Sequence, residues 1–280
     1  MREAALGQYG KERIDDMYYL ADRQGRSSTI VSVGGVSIGN GSFVLIGGPC
    51  AVEDRDQLLS TAKAVRSGCG SALRGGVFKT RTSPYAFQGL GKEGLDYMSE
   101  ARECFGLPLV VEALCEDHVV ALESCVDMIQ IGARNMQNVP LLRRTARSGL
   151  PILLKRGPAA TLDELLCAAE YILQDNPNVV LCERGIRGFD RHTRYVFDLA
   201  GALRLKELSH LPVIVDPSHA AGRRSLVEPL TLAAAAAGLD GAIIEVHPRP
   251  DAALSDSAQS IDCATFERIA ARVGLQPTFT

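Results

Sequence analysis

The chain has 280 residues, 46% hydrophobic and 22% charged, with a net charge of −3 at pH 7. These proportions exclude disordered, collagenous and small disulfide-scaffold classes, and the slight negative charge argues against non-specific nucleic-acid binding and against a polybasic membrane anchor. No apolar run reaches the roughly 18 residues of a bilayer span, the start carries acids rather than a signal-peptide core, and the eight cysteines are scattered, as in a reduced cytoplasmic protein.

Residues 1–28 are polar and read as an arm. Val31-Ser32-Val33 and Val36-Ser37-Ile38 alternate around Gly34-Gly35, which predicts a β-hairpin, so residues 1–42 are expected to be an arm plus hairpin. From Phe43 a second rhythm begins. Short apolar runs at 43–47, 72–78, 108–114, 127–132, 151–155, 178–183, 212–216 and 241–247 are separated by loops and helical stretches such as 55–65, 95–104, 161–173 and 226–237, with a final helix over 258–273. Runs of Val, Ile and Leu without strict alternation belong to strands buried on both faces of a parallel sheet. Eight such units predict an α/β fold, a (β/α)8 TIM barrel over residues 43–280, in preference to a doubly wound open sheet. Gly89-Leu90-Gly91-Lys92-Glu93-Gly94 matches a dinucleotide-binding spacing but follows a loop instead of a strand, so dinucleotide binding is not expected.

Chemistry in such barrels sits at the C-terminal ends of the strands. Here those ends carry Cys50; Arg74, Lys79 and Arg81; Glu112; Arg134; Lys155-Arg156; Glu183-Arg184; Asp216 to His219; and Glu245 to His247. Cations converging on one mouth call for anionic company, either substrate phosphates and carboxylates or a network of salt bridges with the neighbouring acids. Cys50, His219, Glu245 and Asp256 are thiolate, imidazole and carboxylate ligand types, but each signal taken singly is weak; on spacing alone, a core cysteine and a structural histidine are the more common readings. Cys115 and His118 lie one helical turn apart without a third partner, and no metal site is expected there.

The stretches Gly48-Pro49-Cys50-Ala51-Val52-Glu53, Leu73-Arg74-Gly75-Gly76-Val77-Phe78-Lys79, Arg81-Thr82-Ser83-Pro84-Tyr85, Gly132-Ala133-Arg134-Asn135, Leu154-Lys155-Arg156-Gly157, Cys182-Glu183-Arg184-Gly185, Asp216-Pro217-Ser218-His219 and Ile244-Glu245-Val246-His247-Pro248 resemble the 3-deoxy-D-arabino-heptulosonate 7-phosphate (DAHP) synthases of the short-core branch. The resemblance implies metal-dependent condensation of phosphoenolpyruvate with erythrose 4-phosphate, opening aromatic biosynthesis or a specialised branch. It implies Cys50, His219, Glu245 and Asp256 as ligands of a divalent Mn, Fe, Co or Zn ion. Phosphoenolpyruvate falls to Arg74, Lys79, Arg134, Lys155 and Arg184, the aldose phosphate to Lys79, Arg81 and Thr82, and the catalytic roles to Lys79, Lys155 and His219. A homodimer or homotetramer is implied, with no nucleic-acid or membrane partner.

Three places depart from the family pattern: Thr80 in place of Pro, the pair Tyr195-Val196 in place of Asn-Thr, and the pair Val139-Pro140. They bear on the acceptor, leaving the same chemistry on arabinose 5-phosphate as the alternative. A silent barrel binding a phosphorylated metabolite is the non-enzyme alternative. The stretches outside the barrel are too short for the regulatory domain or fused chorismate mutase of some relatives, so no feedback inhibition by Phe or Tyr through a fused domain is expected.

Overall fold

A computed structural model describes residues 18–81 and 83–274. The expected hairpin forms: β1 (Val31–Val33) pairs antiparallel with β2 (Val36–Ile38). Gly34 and Gly35, at φ +53° and +89°, supply the two left-handed residues that a two-residue turn of this hand requires. Eight parallel strands then close into a barrel: β3 (Val44–Gly48), β4 (Ala72–Arg74), β5 (Leu109–Ala113), β6 (Met128–Ile131), β7 (Ile152–Lys155), β8 (Val179–Glu183), β9 (Val213–Val215) and β10 (Gly241–Glu245). Closure is made by β10 against β3, from Gly241 opposite Val44 to Glu245 opposite Gly48.

Around the strands lie α1 (Arg55–Ser67), α2 (Lys92–Phe105), α3 (Glu116–Leu122), α4 (Val139–Ala146), α5 (Leu162–Leu173), α6 (Leu199–Leu208), α7 (Pro217–Ala221), α8 (Arg224–Ala236) and α9 (Cys263–Gly274). Local chemistry sets their ends. Thr161 and Glu164 form a capping box on α5, and Asp198 and Asp216 cap α6 and α7 through the Gly201 and His219 N–H groups. Among the described residues, no helix is long and apolar enough to cross a membrane.

Side chains alternate in and out along each strand, and this divides the apolar residues into two cores. Leu45, Leu109, Val111, Ile129, Leu154, Leu181 and Ile244 face the helices. Ile46, Val110, Met128, Leu153, Val180, Ile214 and Ile243 fill the barrel, where Val31, Val33 and Ile38 of the hairpin join them as a floor. The hairpin lies at the N-terminal ends of the strands, where Gly34 meets Pro108 and Gly39 meets Pro212. The bottom is therefore sealed, and polar groups can gather only at the top.

Of the expected arm, residues 1–17 lie outside the described residues. From Tyr18 it docks on α5, where the Glu170 carboxylate accepts from the Tyr19, Leu20 and Ala21 N–H groups at 2.9–3.1 Å. Two expected boundaries shift. The strand expected over 72–78 ends at Arg74, because Gly75-Gly76 open a loop. The helix expected over 258–273 starts at Cys263, because Ile261 instead extends the sheet beside Val246 and Asp262 accepts from the Thr265 N–H to cap the helix. Gly89 to Gly91 lead straight into α2 with no strand before them, so the geometry of a dinucleotide fingerprint is missing.

Candidate active site

The alternation that fills the barrel continues one step higher into chemistry. Two residues beyond Ala72, Val110, Met128, Leu153, Cys182, Ile214 and Ile243 stand Arg74, Glu112, Gln130, Lys155, Arg184, Asp216 and Glu245. All but Asp216 and Glu245, which lie beneath the others, line a cavity of about 290 Å³ at the mouth. Lys79, Arg81, Arg134 and Arg194 join them from loops, so the lining holds seven Lys and Arg side chains against two carboxylates, Glu112 and Asp256.

Not every strand-end charge belongs here. Arg156 and Glu183 have the opposite parity and point toward the helices, where Arg156 donates to Glu183 at 2.9 Å and to Asp198 at 2.8 Å. There burial pushes the Glu183 carboxyl above its ordinary value despite Arg156. His247 turns to Glu53, at 3.3 Å. At these positions the salt-bridge network is the correct reading.

The four ligand-type side chains do converge. The donor atoms of Cys50, His219, Glu245 and Asp256 all lie within 4.8 Å of one another. Cys50 Sγ is 3.3 Å from Asp256 Oδ2, and His219 Nε2 is 3.3 Å from Glu245 Oε1 and 3.7 Å from Asp256 Oδ2. Ligands bound at about 2.0–2.3 Å to one cation stand about 3–4 Å apart, so this donor set fits a divalent metal with mixed sulfur, nitrogen and oxygen ligation. Burial, reinforced by the Glu245 and Asp256 carboxylates, pushes the Cys50 thiol up to about 12 although Lys79 and Arg74 pull it back, so without a metal the group stays protonated. A bound dication reverses that preference, because coordination requires the thiolate. Asp256 is held at φ +53°, one of two non-glycine residues in the left-handed region among the described residues, which aims its carboxylate into the cluster.

Local sequence explains the other ligands. In Asp216-Pro217-Ser218-His219, the aspartate caps a short helix that proline opens, and the helix turns His219 inward. Asp216 Oδ2 then contacts His219 Nδ1 at 2.7 Å, leaving Nε2 to face the cluster. The same carboxylate is ion-paired with Lys155. Burial opposes its charge, but His219 and Lys155 prevail and hold Asp216 well below the usual carboxylate range. Glu245 is similarly lowered, to about 2, by His219, Arg74 and Lys79 against the cost of burial. Arg74 donates to it at 2.8 Å, and Gln259 donates to its other oxygen at 2.6 Å.

Lys79 stands between the cluster and the cavity, with Nζ 3.1 Å from Cys50 Sγ and 2.8 Å from the Cys50 carbonyl. Arg81 bonds Ser255 beside Cys50, and Arg134 reaches the Thr80 carbonyl at 3.3 Å. Arg184 is 7% exposed and packs over the Tyr195 ring. Thr82 lies outside the described residues. Gln130, Arg194 and Ser255 line the cavity but were not among the sequence candidates, and Asp216, noted at its strand end, was given no role there. Gln130 and Asp216 carry a readable signal, because each is two residues beyond an inward apolar residue; Arg194 and Ser255 sit on loops without one. Cys115 and His118 do not form a cluster: the His118 ring stacks on Phe78, with centroids 3.6 Å apart.

The sequence model of the DAHP synthetase I family matches residues 21–275. The chain belongs to the DAHP synthetase I family. A phospho-2-dehydro-3-deoxyheptonate aldolase of Thermotoga maritima is 47% identical over 259 residues, 92% of this chain and 77% of that protein. A 2-dehydro-3-deoxyphosphooctonate aldolase of Caulobacter vibrioides is 34% identical over 258 residues, 85% of this chain and 89% of that protein. The solved DAHP synthase of Thermotoga maritima superposes with a TM-score of 0.89 at 46% identity, covering 92% of this chain and 76% of that one. A truncated form of that enzyme gives 0.86 at 42% identity, covering 92% and 95%. Membership of the DAHP synthetase I family thus agrees with the barrel and with the motifs that form its mouth.

Proposed function

We propose that this chain condenses phosphoenolpyruvate with erythrose 4-phosphate and water, giving DAHP and inorganic phosphate. The observation that carries the reading is the meeting, at one barrel mouth, of a four-donor metal cluster with seven cations. The 47% identity to the heptonate enzyme, against 34% to the octonate enzyme, supports erythrose 4-phosphate as acceptor.

Cys50, His219, Glu245 and Asp256 would hold a divalent metal, whose contribution when bound is Lewis acidity toward the aldehyde oxygen of the acceptor. Arg74, Lys79, Arg134, Lys155 and Arg184 bind the phosphate and carboxylate of phosphoenolpyruvate, and Arg81 with Thr82 binds the phosphate of the acceptor. Two anions repel each other in solution. Cations fixed by Glu245, Asp216 and the Cys50 carbonyl offset that repulsion without reorganising during the reaction. With both substrates held, C3 of phosphoenolpyruvate forms the bond to the aldehyde carbon, water adds to C2, and the phosphate leaves with its bridging oxygen as the ketone forms, the two protons of the water ending on the acceptor oxygen and on the departing phosphate. Alignment of this kind can contribute up to about 7–11 kcal/mol of rate acceleration. Lys79, beside both the cluster and the cavity, is placed to follow charge as it moves from C2 toward the acceptor oxygen, and Asp216 keeps Lys155 and His219 in register. A homodimeric or homotetrameric assembly and a cytoplasmic setting complete the reading.

An acceptor screen tests it. Metal-reconstituted protein is given phosphoenolpyruvate with either erythrose 4-phosphate or arabinose 5-phosphate, and phosphate release is followed. A higher kcat/KM with erythrose 4-phosphate is expected. A higher value with arabinose 5-phosphate overturns the acceptor assignment, and no release with either overturns the reaction.

A further inference from the structure

The buried cations of the mouth are oriented in two different ways. Arg74 and Lys155 are each held by a carboxylate, Glu245 and Asp216, which fixes them and also cancels part of their charge. Arg184 is also buried, yet among the described residues no carboxylate lies within ion-pair distance of it. Its guanidinium carbon lies 4.7 Å from the centroid of the Tyr195 ring. Arg194 approaches the same ring at 5.7 Å. Both distances lie within reach of a cation–π attraction, and both guanidiniums also donate to the Tyr195 phenol oxygen; neither contact neutralises the cation.

The backbone is built to deliver that ring. Residues 194–196 are strapped between two functional elements. Arg194 and Tyr195 donate to the Ala221 and Ala220 carbonyls of α7, the helix of His219, while Val196 and Ile186 exchange both backbone bonds just beyond Arg184. Gly185 permits the approach: it sits at φ +93°, and a Cβ there would lie 2.7 Å from the Tyr195 Cβ. Arg194 in turn donates to Gln259 at 2.9 Å and contacts Asp256 at 3.4 Å, so it links the ring to the ligand cluster.

We propose that Tyr195 is a positioning residue for substrate binding, its ring holding the Arg184 guanidinium at the cavity wall in place of a carboxylate so that the full cationic charge meets the phosphoenolpyruvate anion. This rests on the assignment of phosphoenolpyruvate to the mouth. A carboxylate at the same point would orient Arg184 equally well but would compete with the substrate for it. The tyrosine, which stands where the family pattern has asparagine, therefore acts on affinity for the anionic substrate and not on the bond-forming step.

The test is calorimetric titration of phosphoenolpyruvate into metal-loaded wild-type protein and three variants, with KM and kcat measured alongside and thermal melting as a folding control. Tyr195→Leu is expected to raise Kd and KM for phosphoenolpyruvate about five- to tenfold with kcat within about twofold. Tyr195→Phe, which keeps the ring but loses the hydroxyl that Arg184 and Arg194 approach, should lie between wild type and Tyr195→Leu. Tyr195→Glu, which offers Arg184 an acid, should weaken binding beyond Tyr195→Leu. Binding by Tyr195→Leu equal to wild type overturns the proposal, as does a Tyr195→Phe variant as weak as Tyr195→Leu. Tyr195→Glu binding better than Tyr195→Leu overturns it too. Wild-type protein that binds phosphoenolpyruvate but turns over no acceptor contradicts the proposed reaction while the titrations still decide the role of Tyr195. Wild-type protein that binds no phosphoenolpyruvate overturns both.

Discussion

Cys50 shows how one side chain can be read two ways until its neighbours are known. A buried cysteine after a strand is commonly a small apolar residue, but this one faces two carboxylates and a histidine across 3–5 Å. If it is a ligand, Cys50→Ala should leave the fold intact while metal affinity falls by at least ~100-fold and phosphate release is lost, as read by bound-metal stoichiometry after dialysis beside a far-ultraviolet melting curve. Asp216 touches no substrate in this account, yet it orients both Lys155 and His219. Asp216→Asn should lower metal affinity about 10–100-fold and also raise KM for phosphoenolpyruvate, two effects that a chelator competition and a substrate titration separate. Strand-end ions were legible as a class, but only inward parity says which of them serve the site. It admits Arg74, Lys155, Arg184 and Glu245 and sends Arg156 and Glu183 into a salt bridge behind the wall. Asp256 was legible as a ligand type but not by position, because it sits on a loop where no periodicity constrains it.

At the scale of elements, apolar runs of β-branched residues disclosed all eight barrel strands and the hairpin, since a strand buried on both faces has little alternative. Boundaries were less legible. Ile261 looks like the first turn of a helix but is claimed by the sheet edge beside Val246, a long-range pairing that local sequence does not announce. The hairpin, expected at the base of the barrel, forms the floor of its core. Ile38, 2% exposed, should therefore cost about 2–5 kcal/mol on replacement by Ala in urea unfolding, with little change in kcat because the mouth lies at the far end. The docked arm makes a pH prediction. Burial first, then Asp163, raises the Tyr18 phenol from 10.0 to about 12, and its hydroxyl donates to Asp163. Because the folded value is raised, the stabilising contribution is complete below pH 10 and disappears as pH climbs toward about 12. The stability of wild type relative to Tyr18→Phe should thus be constant below pH 10 and fall as pH climbs toward about 12, whereas a wild-type advantage that grows with alkalinity would contradict the docking.

For the whole molecule, an average charge conceals the functional one. The chain carries −3 overall, while its mouth gathers seven cations over two carboxylates, and the sealed floor leaves that mouth as the open end of the barrel. Polarity of this kind draws anions toward one end of a mildly acidic protein and weakens with salt. The central claim is that the metal cluster and the cation set serve one reaction joining two phosphorylated substrates. It is tested most directly by counting products: protein stripped of metal, and the same protein reconstituted with manganese, are incubated with phosphoenolpyruvate and erythrose 4-phosphate, and phosphate and sugar product are quantified together by mass spectrometry. The account predicts one phosphate released per seven-carbon product, formed only with metal and only when both substrates are present. Equal product formation after complete metal removal, or phosphate release without an acceptor, would contradict it.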